Sequence, residues 1–351
     1  MKFVSVNGKQ YRLPSELNSF QQELYVHLID WKWANISKEP GVSHNQEFDA
    51  ILPDSFERNG TSPLIYHGVA DKLEAHRKKN DFRIHQHFYH MASSQAANIN
   101  LFLPVLHHSA VNSILREIKP DFASLTAQEL DNGYCIEFWG GNFDKENGGT
   151  GVLGDESKIS GTDSDIAIAY HNHDGELCLW LIEHKLTEKE FTVCGGFKSE
   201  NRKNENKRKI SNYDCSTSFS DILKNKNLCY YHGKNGFHYW DVTDEHQSFF
   251  INHTSHASCP FRGGMNQLWR NQLLALALEK EGKFKHVFFS VVKHPGNTSL
   301  DKTLRAYQNL INNNQKFGVF TSAEVLRAAE RYSDPHLSEW INWYKALYKV
   351  S

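Results

Sequence analysis

The chain has 351 residues, with 39 Lys and Arg against 41 Asp and Glu and a formal net charge of −2. Its length allows one large domain or two medium ones, and 39% hydrophobic residues can bury a substantial core. The near-neutral balance excludes the overall basic signature of a non-specific nucleic-acid binder, so any phosphate-binding surface must come from local charge. Twenty histidines make the surface charge sensitive to pH between about 6 and 7.

The opening MKFVSVNGKQYRL lacks the charged and apolar regions of a signal peptide, and Asn7-Gly8 predicts a hairpin turn. No run approaches the roughly eighteen apolar residues that cross a membrane. The expectation is a soluble, cytoplasmic protein with no membrane partner, in which the sequons at Asn59, Asn252 and Asn297 mean nothing. A helix is predicted over 19–36, with Ser19 as N-cap and Leu24, Leu28, Trp31 and Trp33 as its apolar stripe. Residues 39–63 read as loop and 63–106 as mostly helical, ending in a helix that Ser93 opens. Two short helices follow at 111–118 and 124–130, then a strand at 134–139 and a glycine-rich loop at 140–161.

Strands at 165–170 and 177–185 are joined by His173-Asp174-Gly175, which has hairpin-turn chemistry. Residues 198–209, KSENRKNENKRK, carry six basic and two acidic side chains and form an exposed helix or a loop. Such a run is usually a solvated face, but Lys198, Arg202 and Lys203 are candidates to track a phosphate backbone. An amphipathic helix at 265–279, a buried strand at 284–292 and helices at 300–312, 322–332 and 334–348 complete the chain. The order helix (94–103), three strands, helix, strand predicts an α/β/α architecture with a mixed sheet.

Antiparallel pairing of the hairpin strands brings Asp165 beside Glu183 and Lys185. Glu183 and Lys185 are two apart and share a face, and His184 points away. Two carboxylates suit Mg²⁺ (or Mn²⁺), a hard cation that prefers oxygen ligands. A bound metal acidifies water and neutralises a phosphate, and a lysine beside it positions the attacking water or stabilises the transition state. The apolar run 177–182 reads as a strand buried on both faces, which holds the charges at its end near the core edge.

Asp165 followed by Glu183-x-Lys185 resembles the PD-(D/E)xK nuclease superfamily. The strict Pro-Asp is absent, because Ser164 precedes Asp165 and Thr162 precedes Asp163. Asp165 is favoured as ligand because it abuts the apolar strand, and Asp163, on the same face, is placed to assist. Ser93-Ser94-Gln95, Asn100-Leu101-Phe102, Glu183-x-Lys185-x-Thr187-Glu188, Cys259-Pro260-Phe261 and residues 266–275, NQLWRNQLLA, together resemble a bacterial restriction-endonuclease-like family of that superfamily.

The resemblance covers roughly 93–292. It implies a restriction-endonuclease-like α/β/α core with helical additions at both ends, residues 1–82 forming an N-terminal region and 83–351 the nuclease-like domain. It also implies Mg²⁺-dependent hydrolysis of DNA, more than RNA, leaving 5′-phosphates, in defence or DNA processing. Gln267 and Arg270 match residues that approach the scissile phosphate, and Gln95 matches the first-helix glutamate of many members. Asn271 stands where RecB-like nucleases carry Tyr. The competing expectation is a catalytically inactive module of the same fold that binds nucleic acid or a protein partner.

Cys135 and Cys178 lie within hydrophobic strands and read as small buried apolar residues. Cys194, Cys215, Cys229 and Cys259 all fall in an insertion at about 187–262. In a reducing compartment four such thiols suggest a [4Fe–4S] cluster or Zn²⁺, with His232 as a substitute zinc ligand and free buried thiols as the plain alternative. Residues 149–154, GTGVLG, match a dinucleotide fingerprint, but neither a buried strand before nor a helix after supports it. His85, His87 and His90 sit among aromatic residues and read as packing and surface groups.

Overall fold

The computed structural model describes all residues except 59–61, 81, 142–150, 157–160, 202–212 and 333. The chain opens with the hairpin β1 (Lys2–Val6) and β2 (Lys9–Leu13), then helix α1 (Ser19–Asn35), a second hairpin of β3 (Gly41–Ser43) and β4 (Gln46–Phe48), and helices α2 (Asp54–Arg58) and α3 (Ala70–Lys79). Next come α4 (Ser94–Leu106), α5 (Val111–Ile118), β5 (Ser124–Leu125), β6 (Tyr134–Phe138), β7 (Ser164–His171) and β8 (Leu177–Lys185). Short helices α6 (Gly195–Asn201), α7 (Phe219–Lys224), α8 (Tyr230–Gly233) and α9 (Tyr239–Glu245) precede the long α10 (Met265–Glu281). The chain closes with β9 (His286–Lys293), α11 (Asp301–Leu310), β10 (Phe317–Thr321), α12 (Ser322–Glu330) and α13 (Pro335–Tyr348).

Six strands form one mixed sheet in the order β10-β9-β8-β7-β5, with β6 also paired to β7. β8 is central: it pairs antiparallel with β7, Ile166 opposite Ile182, and parallel with β9, Leu181 opposite Phe289. Successive side chains on a strand face opposite ways, and this sheet buries both faces. Cys178, Trp180 and Ile182 enter the core shared with α1, α4, α5, α12 and α13. Leu179 and Leu181 enter the core shared with α7, α9, α10 and α11. That double burial is why the strand reads as an uninterrupted apolar run. The expected mixed α/β architecture, a restriction-endonuclease-like core, is the observed one.

Several local expectations change. The N-cap of α1 is Asn18, not Ser19: the Asn18 side chain accepts from Gln21 N, and Gln21 returns a bond to Asn18 N. Residues 39–63 contain a hairpin and a short helix. Within 63–106 there are two separate helices, α3 and α4, and the described residues 82–93 between them are turns and irregular chain. The helix expected over 124–130 is instead an edge strand, where Ser124 and Leu125 pair with His171 and Tyr170. β10, unassigned from sequence, runs parallel to β9.

Candidate active site

The start of β7 and the end of β8 lie side by side at one rim of the sheet. On β8 the odd residues Leu179 and Leu181 pack towards α10, so Glu183 and Lys185 share that face. Both are almost buried, at 5% and 7% exposure. The Lys185 ammonium lies 2.8 Å from Glu183 Oε1. Gln267 Nε2 donates to the same oxygen at 2.6 Å, and Asn271 Nδ2 donates to Oε2 at 2.9 Å. Gln267 and Asn271 are four apart on α10 and so project from one side of it. Gln267 is itself oriented by Thr192, whose N–H donates to its Oε1 at 3.1 Å.

Asp165 approaches β8 from the neighbouring strand, and its Oδ2 accepts from His184 N at 2.5 Å. Burial and then the Glu183 charge push the Asp165 carboxyl well above its ordinary range, against Lys185 and the His184 amide. Asp163 is raised by burial and by Glu183, and Arg83 and Arg270 oppose the shift. Burial works against charge on Lys185, yet Glu183, Glu188 and Asp165 more than offset it and hold the ammonium protonated.

Two further carboxylates complete the cluster. Glu137 on β6 is raised well above its ordinary range by burial, Asp163 and Asp165. Its φ of +51° is the left-handed region, which costs a non-glycine residue on the order of 1–2 kcal/mol. Glu156 is pushed up to about 8 by burial, Asp163 and Asp155, against Arg83 and Arg270. Five carboxylates thus act on one another with Arg83, Lys185 and Arg270 as counter-charges. Among the described residues, no group of three or more His, Cys, Asp or Glu side chains is arranged to hold a metal ion.

The hairpin brings Asp163, Asp165, Glu183 and Lys185 together, and α10 adds Gln267. Arg270 lies beside Tyr239, Tyr231 and Asp155, and its charge reaches Glu156 and Asp163. Its buried Nε has no hydrogen-bond partner among the described residues. Gln95, in the first turn of α4, uses both ends of its amide within the protein. Nε2 donates to Glu137 Oε1 at 2.8 Å and to the Arg83 carbonyl at 3.0 Å, and Oε1 accepts from His85 N at 2.9 Å. Lys198 is exposed on α6, and Arg202 and Lys203 lie outside the described residues.

Glu137, Glu156, Arg83 and the bond from Asn271 to Glu183 join the site without being expected from the sequence. Glu137 carries a readable signal, being the one charged residue of the strand YCIEF. Arg83 and Glu156 arrive from separate loops with no local signature. Cys178 is buried as expected, whereas Cys194, Cys215, Cys229 and Cys259 line a single cavity of about 20 Å³. Of residues 149–154, the described part is a turn closed by Gly154 N to the Gly151 carbonyl at 3.1 Å.

A helix-flanked mixed sheet with an acidic, lysine-bearing cluster at the ends of its central strands defines a restriction-endonuclease-like α/β protein. The family model described as "Restriction Endonuclease associating with ARP" matches residues 31–349, and the chain belongs to that family. No curated protein and no solved structure matches it. Among the described residues, no helix is long and apolar enough to cross a membrane.

Proposed function

We propose that this protein is a metal-dependent deoxyribonuclease of the PD-(D/E)xK type, hydrolysing DNA phosphodiester bonds in defence or DNA processing. The observation that carries the reading is Glu183, held at once by Lys185, Gln267 and Asn271 beside the half-buried Asp163 and Asp165. Carboxylates crowded until they raise one another's pKa form a site that favours a cation, and oxygen donors suit Mg²⁺ or Mn²⁺. Asp165 and Glu183 would hold it, with Asp163 assisting. Bound there, the cation supplies charge neutralisation at a phosphate and acidifies a water.

The chain's own groups do the remaining work. Lys185 keeps a protonated donor at the Glu183 carboxylate, where it faces the phosphate or the attacking water. Gln267 and Asn271 fix the Glu183 carboxylate plane. Arg270 and Arg83 set positive charge beside the cluster to receive the anionic backbone, and Gln95 positions Glu137 rather than touching DNA.

Cleavage of linear, circular and single-stranded DNA with Mg²⁺ or Mn²⁺ tests the reading, with wild type beside Glu183→Ala and Lys185→Ala. The expected result is metal-dependent cleavage by wild type and a loss of about 100-fold or more in each variant. Full cleavage by a folded Lys185→Ala protein rejects the assignment. One observation favours a non-catalytic DNA-binding module instead: both Glu183 oxygens already have protein partners. Metal-independent DNA binding without cleavage supports that module.

A further inference from the structure

Four segments distant in sequence bring their cysteines to one place. Cys194 precedes α6, Cys215 lies in the turn before α7, Cys229 is the N-cap of α8, and Cys259 caps the short turn Pro260–Arg262. All four line the cavity of about 20 Å³, together with Trp240, Asn266 and Trp269. We propose that this cavity is a structural zinc site with Cys194, Cys215, Cys229 and Cys259 as its four thiolate ligands.

Three independent features support it. First, backbone amides already serve the sulfurs. Cys194 accepts from the N–H groups of Gly196 and Phe197, Cys229 from Tyr231 and His232, and Cys259 from Phe261. These amides favour negative charge on sulfur, the form a metal binds, against the burial that raises the Cys229 and Cys259 thiols. Second, the cavity contains polar groups that lack partners. Asn266 is fully buried, and neither its Nδ2 nor its Oδ1 has a hydrogen-bond partner among the described residues. Burying such an amide unpaired costs about 1–3 kcal/mol. The carboxamide N–H can donate to a metal-bound sulfur, as outer groups around metal ligands do. Arg262, at the rim of the cavity, offers positive charge to a site that four thiolates and one Zn²⁺ leave doubly negative.

The third feature is local architecture. Between β8 and α10 the described chain has only short helices and turns, and none of its residues joins the sheet. A cross-link among four segments removes much of the entropy that such a region regains on opening.

A cavity needs roughly 10–15 Å³ to admit one water-sized sphere, so about 20 Å³ has room for a single ion. The sulfurs line the cavity without yet standing around one centre, in keeping with the absence of any preset ligand group among the described residues. Bound Zn²⁺ would draw the four sulfurs together as its ligands. Because Asn266 and Trp269 belong to α10, the site anchors the helix that carries Gln267, Arg270 and Asn271.

The test is the metal content of the full-length protein, purified without a metal-affinity tag, with cysteine alkylation mapped by mass spectrometry before and after chelation. The expected result is one zinc per chain, with the four cysteines protected until the chelator is added. Substitution by Co²⁺ should give the visible spectrum of a four-thiolate tetrahedral site. Cys259→Ser should lose zinc and Cys135→Ser should keep it. Glu183→Ala should also keep it, which separates this site from the carboxylate cluster. If Cys259→Ser does not fold, the alkylation pattern of wild type still decides. Iron with sulfide, a disulfide among the four, or four thiols alkylated equally with and without chelator would each overturn the proposal.

Discussion

Glu183 receives one charged and two neutral donors, and the neutral Asn271 makes a separable prediction. Asn271→Ala leaves a buried carboxylate oxygen without its donor, which costs about 1–3 kcal/mol. A chemical melt should show that loss, and DNA cleavage should fall with kcat more than with KM, because Asn271 touches Glu183 and not substrate. The carboxylates also set a pH dependence. Glu156 has an ordinary pKa of 4.5 and is raised to about 8 in the fold. A carboxyl raised on folding binds more protons folded than unfolded, so its contribution falls as pH rises from about 4.5 to about 8. Asp163, Asp165 and Glu137 shift in the same direction. Glu156→Gln should therefore stabilise the protein at pH 8 by about 1–2 kcal/mol, discounted for solvent screening, and do almost nothing at pH 4.5. Urea melts at the two pH values read the difference, and equal effects at both would reject the account. Addition of Mg²⁺ should raise Tm at pH 8 more than at pH 5, where protonated carboxyls bind a cation poorly.

At the scale of elements, β8 and α10 were legible because each has a strong period: a continuous apolar run for one and a helical stripe for the other. The turn after β7 was legible from Asp174-Gly175, with Gly175 at φ +75°. The start of α1 was less so, since Asn18 and Ser19 are both good caps and only backbone geometry chooses between them. Asn18→Ala should cost about 1 kcal/mol and Ser19→Ala only a few tenths, as measured by thermal or urea unfolding. The edge strands β5 and β10 escaped reading for a physical reason. Two or five residues carry too little periodicity, and pairing with β7 or β9 across more than 25 positions supplies what local propensity lacks.

For the whole molecule, the two faces of one sheet organise the cores. Leu24 and Leu28 of α1 lie in the same buried cluster as Trp340 and Tyr344 of α13 and Ile99 of α4. Leu28 is fully buried, so Leu28→Ala should cost about 2–5 kcal/mol. Because that cluster also holds Trp180 and Ile182 of β8, unfolding followed by tryptophan fluorescence should coincide with loss of the sheet signal in circular dichroism. A separate early transition confined to the N-terminal region would contradict this coupling.

The sequence by itself determined the hairpin that joins Asp165 to Glu183 and Lys185, since two apolar runs joined by a tight turn pair antiparallel and bring those ends together. It also determined the helix that faces them. Only the tertiary structure decided that Asn271 serves Glu183, that Glu137, Glu156 and Arg83 enter the same cluster, and that four cysteines meet in one cavity. Those relations join residues from segments far apart, and no local period, cap or turn encodes a contact made by packing one layer on another.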